Sequence, residues 1–145
     1  MNIAYFIHPK RDVATLYDDC SLRQGLEKMR HHGYTAIPVI TRDNKYIGTV
    51  SEGDFLWYLV DTQSEELHRI SMKNIEDTLM RDVLRIDRNA PVKITAGMDE
   101  LLDRVMNQNF VPVVDDLGSF IGIVTRRDII DYFYKESRQT QRGAR

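Results

Sequence analysis

A short pattern of polar residues occurs twice in the sequence, each time at the end of an apolar stretch. Ser51 and Asp54 form the first copy, and Thr125 and Asp128 form the second copy 74 residues later. Each hydroxyl stands where a predicted strand gives way to a predicted helix, so free backbone N–H groups and the positive end of the helix dipole meet there. Anionic groups bind at such helix starts. The pattern therefore predicts two anion-binding positions.

The same spacing has a purely structural explanation, because Ser or Thr followed three residues later by an acid also forms a helix capping box. Capping alone would explain a single copy better, since helix caps are common. Two observations favour a ligand: the pattern is duplicated, and Gly48 and Gly122 lie inside the preceding strands. Glycine weakens a strand unless the strand bulges or something approaches the backbone closely. A ligand is one such group, and a capping hydroxyl can also rotate toward it.

The two copies differ between the hydroxyl and the acid. The second has Arg126 and Arg127 where the first has Glu52 and Gly53. Guanidinium groups bind phosphate through charge-assisted and bidentate hydrogen bonds, whereas Glu52 would repel it. Two adjacent arginines in a first helical turn, where the helix dipole disfavours cations, need a reason beyond solvent exposure. We therefore expect phosphate at the second copy, with the first copy's site empty.

The repeat extends to the elements that must position these residues. Apolar spacing and turn signals predict matching helices and strands in each half. Ser21 with Gln24 forms a capping box at the first helix, and Gly33 provides its left-handed stop. The predicted helices span residues 22–32, 51–61, 98–107 and 126–136. The predicted strands span residues 36–40, 46–50, 83–86, 111–114 and 120–124.

A duplication with this period predicts two small modules, because solenoid repeats are only about 20–50 residues long. We expect an α+β (mixed α/β) fold of two β-α-β-β-α motifs related by pseudo-twofold symmetry and packed as a single compact body. The predicted divisions are a first motif at 8–61, a linker with helical segments at 62–80, a second motif at 81–136 and a flexible tail at 137–145.

The composition excludes several classes of protein. A net charge of −2 and an isoelectric point near 6.1 argue against nonspecific nucleic-acid binding. Cys20 is the only cysteine, so no internal disulfide forms. No apolar stretch approaches the roughly 20 residues that a membrane span requires. We therefore expect a cytoplasmic protein with neither nucleic acid nor membrane as a partner.

No set of residues predicts catalysis or metal binding. Cys20 is adjacent to Asp19, whose negative charge raises the pKa of the thiol. Cys20 is therefore expected to be a poor nucleophile. His31 and His32 are adjacent and point to different helix faces. A nucleophile, base and acid cannot be assembled with any specificity. We expect no enzyme, no metal and no cofactor.

The order strand, helix, strand, strand, helix, present twice and closed each time by Gly-x-x-[Ser/Thr]-x-x-Asp, resembles a tandem pair of CBS domains, also called a Bateman module. The resemblance covers about residues 8–136. It implies a regulatory sensor of adenosyl ligands that usually dimerises into a flat disc of four CBS motifs. It also implies that Asp54 and Asp128 accept hydrogen bonds from a ribose diol.

A narrower similarity, in residues 33–39 and 120–127, is to stand-alone CBS-pair proteins of Gram-positive bacteria that bind cyclic di-AMP. It implies that adenine lies against residues 13–14 and 34–36 while the arginine pair holds phosphate. The implied ligand-binding residues are Val13, Ala14, Tyr34, Thr35, Ala36, Thr125, Arg126, Arg127 and Asp128. A second site would comprise Ser51, Asp54, Val83, Phe110, Val111 and Pro112. AMP, ADP or ATP would fit the same frame, and S-adenosylmethionine fits it least well, because its sulfonium gains nothing from arginines.

Two hypotheses about function stay open. In the first, an adenine nucleotide binds in the cleft between the motifs and shifts a population of states that an unidentified protein target recognises. In the second, the chain is a scaffold dimer whose nucleotide sites are vestigial. The predicted helices near 51–61 and 126–136 each have a wide apolar surface, which includes Trp57 in the first and Phe133 in the second. Core packing and a homodimer interface both explain that surface.

Overall fold

The computed structural model describes residues 2–62, 72–84 and 89–143. The chain forms two compact units. The central unit is Ala14–Arg88 and contains the first copy of the repeat. The terminal unit combines Met1–Val13 with Asn89–Arg145 and contains the second copy.

Seven strands and six helices of the described residues carry the fold. The strands are β1 (His8–Pro9), β2 (Leu16–Tyr17), β3 (Ala36–Ile40), β4 (Tyr46–Ser51), β5 (Val92–Lys93), β6 (Phe110–Val114) and β7 (Phe120–Thr125). The helices are α1 (Leu22–His32), α2 (Glu52–Thr62), α3 (Met72–Asp77), α4 (Met80–Val83), α5 (Met98–Val105) and α6 (Arg126–Gly143). Short 3-10 helices span Ile3–Phe6 and Lys10–Asp12. This mixture of helices and sheets confirms the predicted fold class.

The central unit has a three-stranded sheet in the order β2-β3-β4. β2 runs parallel to β3, and β3 runs antiparallel to β4. The predicted capping box of α1 is confirmed, since Ser21 and Gln24 exchange hydrogen bonds of 3.0 and 3.1 Å. Gly33 ends the helix with φ of 69°, as predicted. The buried core comprises Leu16, Leu22, Met29, Ile37, Val39, Val50, Phe55, Met80 and Val83.

The terminal unit has a four-stranded sheet in the order β1-β7-β6-β5. Strands β6 and β7 repeat the antiparallel pairing of β3 and β4, and β5 runs parallel to β6. Both chain ends contribute to this unit, because β1 pairs antiparallel with β7. The buried core comprises Ile3, Phe6, Val92, Leu101, Val105, Val111, Val113, Val124 and Ile129.

Each repeat is thus completed by a segment that comes before it or after it in the chain, which differs from the predicted divisions. Residues 2–13 belong with the second copy, where His8 and Pro9 extend the sheet. Residues 72–84 belong with the first copy. There the Leu22 N–H donates to the Thr78 carbonyl at 2.7 Å, and the Met80 N–H donates to the Cys20 carbonyl at 2.9 Å. Backbone hydrogen bonds between distant segments therefore override the linear order of the motifs.

These same segments explain the two strand glycines. A Cβ on Gly122 would lie 2.1 Å from the carbonyl oxygen of His8, a distance that no side chain can occupy. A Cβ on Gly48 would lie 2.9 to 3.1 Å from the side chain of Leu84. The close approach that the sequence indicated is therefore real, but the chain itself makes it. A ligand is therefore not needed to explain these two glycines.

Two predicted boundaries need correction. The strand predicted at 83–86 is absent at Val83, which ends α4; residues 85 and 86 lie outside the described residues, as do residues 63–71 of the linker. Strand β5 was not predicted, because two residues leave no periodicity. The last helix was predicted to end at 136, but α6 continues to Gly143. Lys135 and Asp131 form an i,i+4 ion pair of 3.0 Å in this helix, an interaction that apolar periodicity does not report.

None of the helices in the described ranges is both long and apolar enough to cross a membrane.

The contact at Gly122 predicts an unequal sensitivity to alanine. Gly122→Ala should lower the free energy of unfolding by about 1–3 kcal/mol or more, because backbone has to move to admit the methyl group. Gly53→Ala is the control, because a Cβ on this exposed helical glycine would make only an ordinary van der Waals contact, 3.7 Å from Oγ of Ser51, and alanine favours the helix by up to about 1 kcal/mol. Urea unfolding of the two variants measures both effects. Equal stabilities would contradict the close approach of β1.

Candidate functional site

The first copy of the motif lies at the junction between β4 and α2 in the central unit. Ala36 and Ser51 are paired residues of the sheet, and the Glu52 N–H donates to the Thr35 carbonyl at 3.1 Å. Tyr34 and Thr35 are exposed and Ala36 is half-buried. The fold therefore brings residues 34–36 and Ser51, which were predicted to bind ligand, to one edge of this unit.

Ser51 and Asp54 form the capping box that the sequence left open as an alternative. The Ser51 N–H donates to Oδ2 of Asp54 at 2.9 Å, and the Asp54 N–H donates to Oγ of Ser51 at 3.3 Å. Asp54 is only 5% exposed. A ligand could use this carboxylate only by disturbing the start of α2, so the first copy has a structural role in the described unit.

Tyr34 follows the end of α1 and presents a flat surface. Its N–H donates to the Met29 carbonyl at 2.9 Å, which continues the stop at Gly33. Its ring is 39% exposed and stacks on the His32 ring, with centroids 5.3 Å apart and planes 22° apart. Two stacked aromatic rings at a helix end form a surface on which a further planar ring can stack.

Two other predicted residues of the central unit face its interior. Val83 is buried in the core, where it packs with Phe55 and Met80. Ala14 is half-buried and packs against the same core. Val83 is therefore a core residue, and only the exposed part of Ala14 is available to a ligand.

The second copy lies at the junction between β7 and α6 in the terminal unit. Phe110 pairs with Thr125, and the Arg126 N–H donates to the Asn109 carbonyl at 2.8 Å. This geometry repeats that of the first copy. Val111 is fully buried in the core, and Pro112, the next residue of β6, is buried too. Of the predicted β6 residues, only the half-buried Phe110 lies beside the motif with an accessible surface.

The two arginines of this copy have different surroundings. Nε of Arg126 donates to the carbonyl of Val105 at 2.7 Å, and Nη1 donates to Oδ1 of Asn109 at 3.1 Å. Val105 is the last residue of α5, so the guanidinium caps the negative end of that helix. Arg127 is exposed in the first turn of α6. The position of Arg126 in a first helical turn is therefore explained by its contacts with Val105 and Asn109. Of the two arginines, only Arg127 points to solvent.

Asp128 differs from Asp54 in the partner of its carboxylate. Its N–H donates to Oγ1 of Thr125 at 3.2 Å, as in a helix cap. Its Oδ2, however, contacts Nε2 of His8 from the N-terminal strand. The hydrogen bond from His8 is the main cause that lowers the pKa of Asp128, with smaller contributions from Thr125 and Arg127. Sequence reasoning missed His8, because 120 residues separate it from Asp128 and no motif includes it.

A cavity of about 320 Å³ opens beside this pair within the terminal unit. Its wall combines aromatic rings with charged groups from the N-terminal segment and from α6. The lining residues are Tyr5, Phe6, Ile7, His8, Asp128, Asp131, Tyr132 and Lys135. Asp128 thus lines an open cavity, and its side chain is accessible to a ligand bound there.

Two further expectations from the sequence concern the reactivity of Cys20 and metal binding. Burial raises the pKa of the Cys20 thiol, and Asp19 raises it further, in agreement with the raised thiol pKa that the sequence predicted. In the described part of the chain, no group of three or more His, Cys, Asp or Glu side chains could hold a metal ion.

The predicted primary site draws on both units. Ala14, Tyr34, Thr35 and Ala36 belong to the central unit, and Val13, Thr125, Arg126, Arg127 and Asp128 belong to the terminal unit. Within each unit the residues of the junction come together as described above. Their joint action on one ligand remains a prediction.

Comparisons with known proteins agree with the duplicated fold. The family model for the CBS domain matches the chain twice, over residues 5–61 and 75–135. Cyclic di-AMP receptor B of Bacillus subtilis (strain 168) is 26% identical over 136 residues, covering 94% of this chain and 88% of that protein.

Two solved structures are similar over nearly the whole chain. One is a CbpB protein in complex with c-di-AMP, with a TM-score of 0.87 and 22% identity, covering 99% of this chain and 91% of that chain. The other is CbpB of Listeria monocytogenes in complex with c-di-AMP, with a TM-score of 0.78 and 25% identity, covering 94% of this chain and 98% of that chain. Because the first of these proteins is only 22% identical to this chain, that similarity shows a shared fold and nothing more.

The different surroundings of the two arginines predict different effects on stability. Arg126→Met should lower the free energy of unfolding by about 1–3 kcal/mol, because it removes charge-assisted hydrogen bonds to Val105 and Asn109. Arg127→Met, the matched control in the adjacent position, should change it by no more than about 0.5 kcal/mol, as surface substitutions usually do. Chemical unfolding of both variants checks this. A more damaging Arg127→Met would contradict the assignment of roles.

Proposed function

The chain belongs to the CBS domain family, and from this premise we propose that it is a non-enzymatic regulatory protein that binds an adenine nucleotide, with cyclic di-AMP as the favoured ligand. The similarity to cyclic di-AMP receptor B, which extends over 94% of the chain, supports the choice of ligand. Bound nucleotide would shift the population of a state that a protein target recognises.

The observation that carries the proposal is the asymmetry between the two junctions. At the second junction, an exposed Arg127 guanidinium and the accessible carboxylate of Asp128 stand in the first turn of α6. At the first junction, Glu52 is exposed and Asp54 caps its own helix. A phosphate group is attracted to the second junction and repelled from the first.

We assign the phosphate contact to Arg127 and withdraw Arg126 from it, since Arg126 is committed to Val105 and Asn109. The adenine contact is assigned to the surface formed by Tyr34, Thr35 and Ala36, where the exposed Tyr34 ring can stack on a base. Ribose hydroxyls, which lie between base and phosphate in any nucleotide, are assigned to Asp128.

AMP, ADP and ATP carry the same base, ribose and phosphate chemistry and remain the alternative ligands. A scaffold dimer remains the alternative function, and exposed apolar side chains favour an interaction surface of some kind. They lie on α2 at Leu56 and Trp57 and on α6 at Ile130, Phe133 and Tyr134. We propose that these helices form a homodimer interface, which is compatible with either function.

Isothermal titration with cyclic di-AMP, beside AMP and ATP, tests the ligand. The wild-type protein should bind cyclic di-AMP most tightly. Arg127→Ala should weaken that binding by about 1.5–3 kcal/mol, or about 10- to 150-fold, because a charge-assisted hydrogen bond to phosphate is lost.

Ser51→Ala is the matched control, because it alters the hydroxyl of the first junction and should leave the affinity nearly unchanged. A large loss in Ser51→Ala would move the site to the first junction. An unchanged affinity in Arg127→Ala would remove the arginine from the site. Absence of binding by all three nucleotides would favour the scaffold.

The dimer interface is tested by charge insertion. Ile130→Glu should shift the protein from dimer to monomer in analytical ultracentrifugation, because a carboxylate would be buried against an apolar surface. Leu117→Glu is the control, since Leu117 is also exposed but lies in the turn between β6 and β7. A wild-type protein that sediments as a monomer would contradict the proposed interface.

A further inference from the structure

The contact between His8 and Asp128 bears on which nucleotide the second junction can accept. Nε2 of His8 lies against Oδ2 of Asp128, one of the two carboxylate oxygens. The two side chains are 46% and 41% exposed, and both line the cavity of about 320 Å³. A ligand hydroxyl can therefore reach this carboxylate, but it meets one oxygen that His8 already engages.

The backbone of His8 is fixed in place. His8 pairs with Ile123 and Pro9 pairs with Gly122 in the antiparallel ladder of β1 and β7. The His8 carbonyl lies so close to Gly122 that no Cβ fits between them. Asp128 is held on the other side by its N–H bond to Thr125 in the first turn of α6. Both partners are therefore anchored by backbone contacts, and the pair is built into the sheet and helix.

Ribose chemistry gives this geometry a consequence for selectivity. A mononucleotide has free 2′ and 3′ hydroxyls, which can donate to both oxygens of one carboxylate. In a 3′,5′-cyclic dinucleotide each 3′ oxygen is esterified, so each ribose offers only its 2′ hydroxyl. A carboxylate with both oxygens available favours the diol, because it gains a second charge-assisted hydrogen bond. A carboxylate with one oxygen already engaged gains less from the second hydroxyl, because fewer of its acceptor positions remain available.

We propose that His8 is a specificity-determining residue, which holds Oδ2 of Asp128 and leaves Oδ1 for a single ribose hydroxyl. The free diol of AMP or ATP then adds little to binding affinity, and a 3′,5′-cyclic dinucleotide loses little affinity by lacking that diol. The inference rests on the proposed function, because it assumes that a nucleotide binds at this junction. The first copy cannot act in this way, since Asp54 is buried and its Oδ2 accepts the N–H of Ser51.

The test compares AMP with its 3′-deoxy analogue by isothermal titration, with cyclic di-AMP as the reference ligand. In the wild-type protein the two mononucleotides should bind within about twofold of each other, because His8 already engages the second carboxylate oxygen. In His8→Ala, AMP should gain about 3- to 10-fold over 3′-deoxy-AMP, the effect of one additional hydrogen bond. The affinity for cyclic di-AMP should change by less than the affinity for AMP.

Three further variants sharpen the result. His8→Phe keeps the bulk of the side chain without a hydrogen-bond donor, so it should reproduce the selectivity of His8→Ala even if alanine loosens β1. His31→Ala removes an exposed histidine in α1 and should leave the selectivity as in the wild type. Combining His8→Ala with Asp128→Asn should abolish the gain for AMP, because the second carboxylate oxygen is no longer present.

The outcomes separate the two proposals. If nucleotides bind and both His8 variants keep the wild-type ratio of AMP to 3′-deoxy-AMP, the role of His8 is overturned while the proposed function stands. If no nucleotide binds the wild-type protein, the proposed function is overturned and the role of His8 with it. A gain for AMP that persists in the combined variant would also overturn the role of His8, since it would not pass through Asp128.

Discussion

The terminal unit depends on the close approach of the N-terminal backbone to Gly122. Because that residue has no Cβ, the His8 carbonyl can lie against β7, and β1 can join the edge of the sheet. The same segment carries Ile3 and Phe6 into the core of this unit. It also carries His8 to the start of α6. The glycine at position 122 thus allows the N-terminal segment to complete the sheet edge, to fill part of the core and to bring His8 to the Asp128 carboxylate.

The two copies of the motif show how a duplicated pattern can diverge in function without changing its fold. Strand pairing and the backbone bond at the strand-to-helix junction are the same in both. In the first copy the carboxylate turns back to the N–H of Ser51 and is buried. In the second copy the carboxylate meets His8 and stays accessible. Residues 2–13 bring His8 to the second copy, whereas the described residues 72–84, which complete the central unit, contain no histidine.

The arginine pair illustrates how charge at a helix start has to be interpreted. Cations are unfavourable in the first turn of a helix unless something else stabilises them. For Arg126 the stabilising group is the carbonyl end of α5, which has the opposite dipole sign. Arg127 is exposed instead, and its charge contributes to lowering the pKa of the neighbouring Asp128. Two residues that are equal in sequence therefore divide into one structural and one solvent-facing guanidinium.

Features with local signals could be predicted from the amino-acid sequence. The repeat, the limits of α1, the hairpins β3-β4 and β6-β7 and the family were predictable, because caps, turns and apolar periodicity act within a few residues. Other features became visible only in the folded structure. These are the close contacts at Gly48 and Gly122 and the segment that completes each unit. They also include the hydrogen bonds of Arg126 and the contact between Asp128 and His8. These features depend on groups that are far apart in the chain, up to the 120 residues between His8 and Asp128. Contacts of that range leave no periodicity or spacing in the sequence, because folding in three dimensions creates them.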